Sequence, residues 1–223
     1  MIKNILNLGD AALYCDFGQD VNKETNSSVI KYFNKIQKLK IESINNITPS
    51  YNKLIISFDL KKIKYAELKD IIEKIQIDKE DSFKTKIIEI PICCEEPYSL
   101  DFTRLEEKLQ LSKEQILKNF FNKKYFCYMT GFIAGMPFLG DLNENMRAQR
   151  LETPRVKVPK GSIGITEQFA NIYTFESPGG WNIIGNTPIK VFDNSREDMP
   201  NLINPGDTVI FKEISKEKYL NYV

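Results

Sequence analysis

Apolar positions in the N-terminal part of the chain switch between a period of two and a helical period. Ala11–Phe17 alternates and stops at Gly18, which predicts a strand. Thr25–Leu39 carries Val29, Phe33 and Ile36 at helical spacing. Ile44–Pro49 and Lys53–Phe58 read as two strands joined by Ser50, Tyr51 and Asn52. Tyr65–Ile75 places Leu68, Ile71, Ile72 and Ile75 on one helical face, and Thr85–Ile92 is a further apolar strand. The predicted order is β-α-β-β-α-β, a split βαβ pattern of ferredoxin-like type. The polar stretch Asp78–Ser82 marks a boundary or hinge.

Two short helices are predicted next, with Asp101 and Ser112 as N-caps. Ser112 and Gln115 have capping-box spacing, and Ile116, Leu117, Phe120 and Phe121 supply a buried face. After Lys123 the pattern changes. Short apolar runs (YFCYM, GSIGI, NIYTF, WNIIG, IKVF, TVIF) alternate with Gly and Pro, as in an all-β barrel or sandwich. Lys216–Val223 reads as a short helix or a tail.

Composition narrows the chemistry. The 223 residues include 31 Lys+Arg and 30 Asp+Glu, a balance that gives no reason to expect nucleic acid or an anionic membrane as partner. No run approaches the roughly 20 apolar residues that span a bilayer. The N-terminus lacks the continuous apolar core of a signal peptide, so a cytoplasmic location is expected. In that compartment Cys15, Cys93, Cys94 and Cys127 are expected as free, structural thiols. The chain has no histidine, which removes His bases, Ser-His and Cys-His pairs and His metal ligands. No phosphate-binding loop, dinucleotide fingerprint or metal-spaced cluster occurs.

Three segments concentrate Gly, Pro and large apolar anchors: residues 131–140 (GFIAGMPFLG), 153–165 (TPRVKVPKGSIGI) and 176–188 (ESPGGWNIIGNTP). Such loops expose backbone N–H groups that suit a carboxylate or phosphoryl oxygen; they also suit ordinary barrel turns. Arg155 could hold a carboxylate or phosphate in two-point fashion, or form a salt bridge at a barrel rim. A Ser162 nucleophile activated by Lys157 or Lys160 stands against the commoner role of a Gly-flanked Ser as turn former. Trp181, the single tryptophan, could lie against a ligand or partner, or anchor the core or rim; Tyr173 has the same two readings. Asp141, Glu167 and Glu176 show no acid/base spacing and read as solvated carboxylates.

These segments, in this order, resemble the family that contains the B-type subunit of 5-oxoprolinase, the sporulation-kinase inhibitor KipI and allophanate hydrolase subunit 1. The same module forms the C and D subdomains of a carboxyltransferase. The family pattern runs GFxPGFPYLGGL, TPRxxVPAGSVGIAGGQTGIY and SPGGWxxIGRTP. Here the chain has GFIAGMPFLGDL, TPRVKVPKGSIGITEQFANIY and SPGGWNIIGNTP. LGDAALYCDFG and PSYNKLIISFD also resemble the family's opening strand and middle hairpin. The match covers nearly the whole chain.

The resemblance implies an α+β protein with a ferredoxin-like N-terminal domain over residues 1–83. A cyclophilin-like β-barrel over 84–223 follows, with two short helices near its start. It implies a component that works with a C-type partner directly and with an A-type subunit, in ATP-dependent opening of 5-oxoproline to L-glutamate. ATP belongs to the assembled complex and no metal is implied. Alternatives are an inhibitor of a sensor histidine kinase and a urea or allophanate pathway component. Substrate-binding or partner-facing positions would be Gly131, Phe132, Pro137, Gly140, Arg155, Ser162, Tyr173, Ser177, Pro178, Gly179, Gly180 and Trp181, with Arg155 the leading catalytic position. The chain departs from the pattern at several polar family positions. Leu109 and Phe120 stand where the family carries histidines, Phe169 where it carries Gln, and Asn186 where it carries Arg; Ala134 and Met136 replace Pro and Phe.

Overall fold

The computed structural model describes residues 1–77, 85–196 and 199–222; the segment Asp78–Ser82, expected as a hinge, falls outside the described residues. The chain divides into two units, Met1–Lys84 and Thr85–Val223.

In the first unit, β1 (Asn4–Asn7), β2 (Ala12–Asp16), α1 (Lys23–Leu39), β3 (Ile44–Pro49), β4 (Lys53–Phe58) and α2 (Tyr65–Glu73) follow in order. The sheet runs β1-β2-β4-β3 and every pairing is antiparallel. Alternation puts Leu13 and Cys15 of β2, and Leu54, Ile56 and Phe58 of β4, on one face; Leu13 stands opposite Ile56. Val29 and Ile36 of α1 and Leu68 and Ile72 of α2 close over them, all essentially inaccessible. Each such side chain contributes about 1.5–3 kcal/mol by burial. Ile71, expected on the same helical face, is exposed instead. Helix α1 begins at Asn22, whose side chain accepts from the Thr25 N–H at 2.8 Å, and it ends where Lys40 turns left-handed.

The last strand expected for this sheet is not in it. Residues Ile87–Ile92 form β5 of the second unit, parallel to β13 (Thr208–Glu213) with Ile90 opposite Phe211. The edge beside β2 is taken by β1, a short strand in which only Ile5 is buried. The apolar run of β5 finds more to bury in the second core, where Ile90 and Ile92 pack with Phe120, Tyr125 and Phe211.

The second unit continues with α3 (Phe102–Leu109), α4 (Lys113–Phe121), β6 (Lys124–Thr130), β7 (Pro137–Gly140), a 3-10 turn at Glu144–Met146, β8 (Arg155–Val158), β9 (Ser162–Thr166), β10 (Phe169–Ile172), β11 (Ser177–Gly179), β12 (Asn182–Asn186), β13 and α5 (Lys216–Leu220). Its main sheet runs β12-β9-β10-β7-β6-β13-β5. Cys93, just past β5, bridges back to Asn186 at the end of β12, so the sheet curls into a half-barrel. A two-stranded ribbon, β11 with β8, lies beside it. Among the described residues the run IKVF forms no strand but an isolated bridge from Phe192 to Asn201.

Ser112 and Gln115 form the predicted capping box of α4. Asp101 precedes α3 but does not cap it, because its carboxylate is engaged elsewhere. Helix α4 presses Phe120 into a stack on Phe211, 4.9 Å between ring centroids, with Tyr125 completing the cluster.

The four cysteines are free and buried. Burial pushes the Cys15 thiol up to about 12 and raises Cys93, Cys94 and Cys127 as well, so all four stay protonated at neutral pH. No helix among the described residues is long and apolar enough to cross a membrane.

Candidate functional site

The turn after β6, the segment before β8 and the β11–β12 connection converge on one cavity of about 500 Å³. It is lined by Phe132, Met136 and Phe138 from the β6–β7 region, by Arg150 and Pro154 from the segment before β8, and by Tyr173, Pro178, Gly179, Gly180 and Trp181. The volume is that of a small-molecule site, and the lining is apolar but for one guanidinium and one phenol.

Trp181 meets Phe138 edge to face, 5.6 Å between centroids. Tyr173 is buried. Burial pushes its phenol up, against the opposing effects of the Asn171 side chain, the Trp181 backbone and the Arg155 charge. The phenol therefore keeps its proton at neutral pH. Gly179 explains how so large a buried residue fits. A Cβ at that position would stand 2.2 Å from the Tyr173 hydroxyl, so only glycine lets the ribbon cross the ring. Phe132, 74% exposed, projects from a left-handed backbone (φ 69°) at the rim. That conformation costs a non-glycine residue free energy and gathers at functional sites.

Of the twelve positions singled out from the sequence, Phe132, Tyr173, Pro178, Gly179, Gly180 and Trp181 line this cavity. The other six have structural surroundings. Gly131 donates its N–H to the Met136 carbonyl at 3.0 Å and closes the rim turn. Pro137 opens β7, facing Thr130. Gly140 makes room for Tyr128, whose ring would stand 2.5 Å from a Cβ there. Ser177 lies in β11 and its Oγ is buried without a hydrogen-bond partner among the described residues.

Ser162 is 2% exposed beside the Asn186 amide, 3.5 Å away, while Lys157 pairs with Glu176. Among the described residues no hydrogen bond joins Ser162 Oγ to Lys157 or Lys160. Arg155 is likewise absent from the cavity wall: its Nη2 donates to Asp101 Oδ1 at 2.5 Å. Of the two readings open to Arg155, the salt bridge is the one observed, with a buried carboxylate as partner.

Of the carboxylates read as solvated, Glu167 and Glu176 are exposed as expected, and Asp141 is half-buried. Asp141 accepts from the Tyr128 hydroxyl at 2.8 Å, Glu176 pairs with Lys157 at 2.9 Å, and Glu167 forms the β9–β10 turn with φ 45°. The departures from the family pattern are filled by packing. Phe120 is in the core, Leu109 packs against it, and Phe169 meets Tyr128 edge to face. Asn186 donates to the Lys160 carbonyl at 2.9 Å and accepts from the Tyr219 hydroxyl at 2.8 Å.

Sequence reasoning missed Arg150. It belongs to a segment rich in polar residues, four places before Pro154, and only the strand connections show which arginine meets the cavity. No group of three or more metal-ligating side chains occurs among the described residues.

A curled mixed α+β half-barrel, with a cavity lined by aromatic side chains and Arg150, defines the fold class. Within it, the chain belongs to the family described as carboxyltransferase domain, subdomain C and D, which matches residues 3–203. The chain is 30% identical over 228 residues to the B-type subunit of 5-oxoprolinase from Bacillus subtilis (strain 168), covering 96% of this chain and 94% of that one. It is 25% identical over 243 residues to urea amidolyase of Lachancea kluyveri, covering 94% of this chain but only 13% of that protein. Among solved structures, the protein TTHA0988 superposes with a TM-score of 0.82 at 26% identity. There the match covers 92% of this chain and 40% of the other.

Proposed function

We propose that this chain is the B-type subunit of a heteromeric ATP-dependent 5-oxoprolinase, opening 5-oxoproline to L-glutamate with a C-type partner bound directly and an A-type subunit completing the enzyme. The observation that carries this is near full-length similarity to a protein named as the B-type subunit of 5-oxoprolinase, at 30% identity with 96% of the chain covered. The cavity supports it, since its size and apolar walls suit a compact lactam. Its single guanidinium is a poor match for a triphosphate, so ATP is assigned to surfaces the partners complete. We assign the first unit to a ferredoxin-like type in which β1 replaces the usual last strand, and the second to a cyclophilin-like type. The domain division near residue 84 and a cytoplasmic location belong to the same reading.

The test is reconstitution. The chain alone should turn over nothing; mixed with cognate A- and C-type subunits it should give 5-oxoproline-dependent ATP hydrolysis. A well-assembled complex without that activity would overturn the assignment.

The likeness to a urea amidolyase favours one second reading, a role in urea or allophanate breakdown. ATP hydrolysis by the same complex that responds to urea or allophanate rather than 5-oxoproline would select it.

A further inference from the structure

Arg150 is held in place by its neighbours. Leu151 donates its N–H to the Gly180 carbonyl at 2.6 Å, and the Gln149 carbonyl accepts from Asn182 Nδ2 at 3.2 Å. Arg104 adds a second donor to that same carbonyl at 3.3 Å. The backbone on both sides of Arg150 is thus tied to the β11–β12 segment that carries Trp181. The side chain itself lines the cavity and has no ion pair or hydrogen bond among the described residues. No carboxylate lines the cavity to neutralise it.

Arg150 is an exposed residue whose backbone is anchored beside the aromatic lining, so its guanidinium is open to a ligand entering the cavity, and its planar fork matches both oxygens of a carboxylate. Phe132, strained at the rim, and the Trp181–Phe138 pair offer flat apolar surface to the body of such an acid.

We propose that Arg150 binds the carboxylate of a small ring-bearing acid whose ring lies against Trp181, making Arg150 the residue that sets specificity for acids over neutral lactams. The class of ligand follows from this geometry. That the acid is 5-oxoproline rests on the oxoprolinase reading.

Two measurements test it. In the assembled complex, Arg150→Gln should raise the KM for 5-oxoproline about tenfold or more with kcat within about twofold, and Arg150→Lys should recover part of the loss. An unchanged KM in an active complex overturns the role of Arg150 and leaves the oxoprolinase reading standing. A complex with no 5-oxoproline-dependent ATP hydrolysis overturns that reading, and the second measurement then decides the inference by itself. Trp181, the single tryptophan, reports occupancy of the cavity by fluorescence in the isolated chain. Titration with 5-oxoproline should give a saturable change that 2-pyrrolidinone, which lacks the carboxylate, does not, and that Arg150→Gln abolishes. No change, or an equal response to both compounds, overturns the inference.

Discussion

Arg155 Nη2 lies 2.5 Å from Asp101 Oδ1, and the other oxygen of that carboxylate accepts the Ile183 N–H at 2.6 Å. Asp101 is only 5% exposed, so the pair joins the start of α3 to β8 and β12 in a setting where an unpaired charge is costly. Arg155→Ala leaves that carboxylate buried without its cation and should destabilise the second unit by about 3–5 kcal/mol. The double variant with Asp101→Ala should lose less than the sum of the singles. Denaturant titration measures both; an Arg155→Ala midpoint equal to wild type would show the pair to be dispensable.

Gly179 lets the ribbon pass close to the Tyr173 ring. Gly179→Ala places a methyl 2.2 Å from the Tyr173 hydroxyl, and the ring or the ribbon must move. A loss of about 1–3 kcal/mol is expected, typical of overpacking a well-fitted site. The emission of Trp181, two residues on, should shift with it. Thermal unfolding and fluorescence spectra check the two effects together.

Asn186 stands where the family pattern carries arginine, and restoring that arginine should not help this chain. The residue is 5% exposed; its amide donates to the Lys160 carbonyl and to Ser162 Oγ and accepts from the Tyr219 hydroxyl. Asn186→Arg would insert a larger cation into that space and break these bonds, at a cost of roughly 2 kcal/mol or more. Equal stability with raised activity in the assembled complex would contradict this account.

Acid should find a weak point in the first unit. Asp16 accepts from Lys53 Nζ at 2.5 Å and from the Gly18 N–H at 2.8 Å, and these bonds, the lysine's first, hold its carboxyl below the ordinary value. A carboxyl lowered on folding stabilises above its unfolded pKa, near 4, and that stabilisation fades as pH falls toward the folded value. The pair is partly exposed, so its contribution is small, about 0.5 kcal/mol. Asp16→Asn should therefore be slightly less stable than wild type at pH 7, with the difference shrinking as the pH falls below about 4, as denaturation curves over that range would show.

How far the sequence could be read depended on what kind of signal each residue carried. Helices α1, α2 and α4 announced themselves by apolar period and, for α4, by Ser112 and Gln115. The apolar run of Ile87–Ile92 signalled a strand but not its sheet. That choice was made by the aromatic core around Phe120 and Phe211, which no local pattern displays. Strand β1 escaped because Asn4 and Asn7 interrupt its pattern and only Ile5 is buried.

At the site, Pro178, Gly179, Gly180 and Trp181 were legible because their backbone demands are unusual. Arg155 was legible as an isolated charge, but the acid that claims it, Asp101, lies 54 residues away in sequence. Arg150 gave no signal at all. Its position beside the cavity follows from hydrogen bonds made by its neighbours' backbone, Gln149 and Leu151, and side-chain type does not encode those.

The most direct test of the central claim is product formation by the assembled enzyme. Isotope-labelled 5-oxoproline is supplied with ATP to the A- and C-type subunits, with and without this chain. Labelled L-glutamate should form only when the chain is present, together with ADP. Glutamate formed equally well in its absence, or none formed by the complete assembly, would contradict the account.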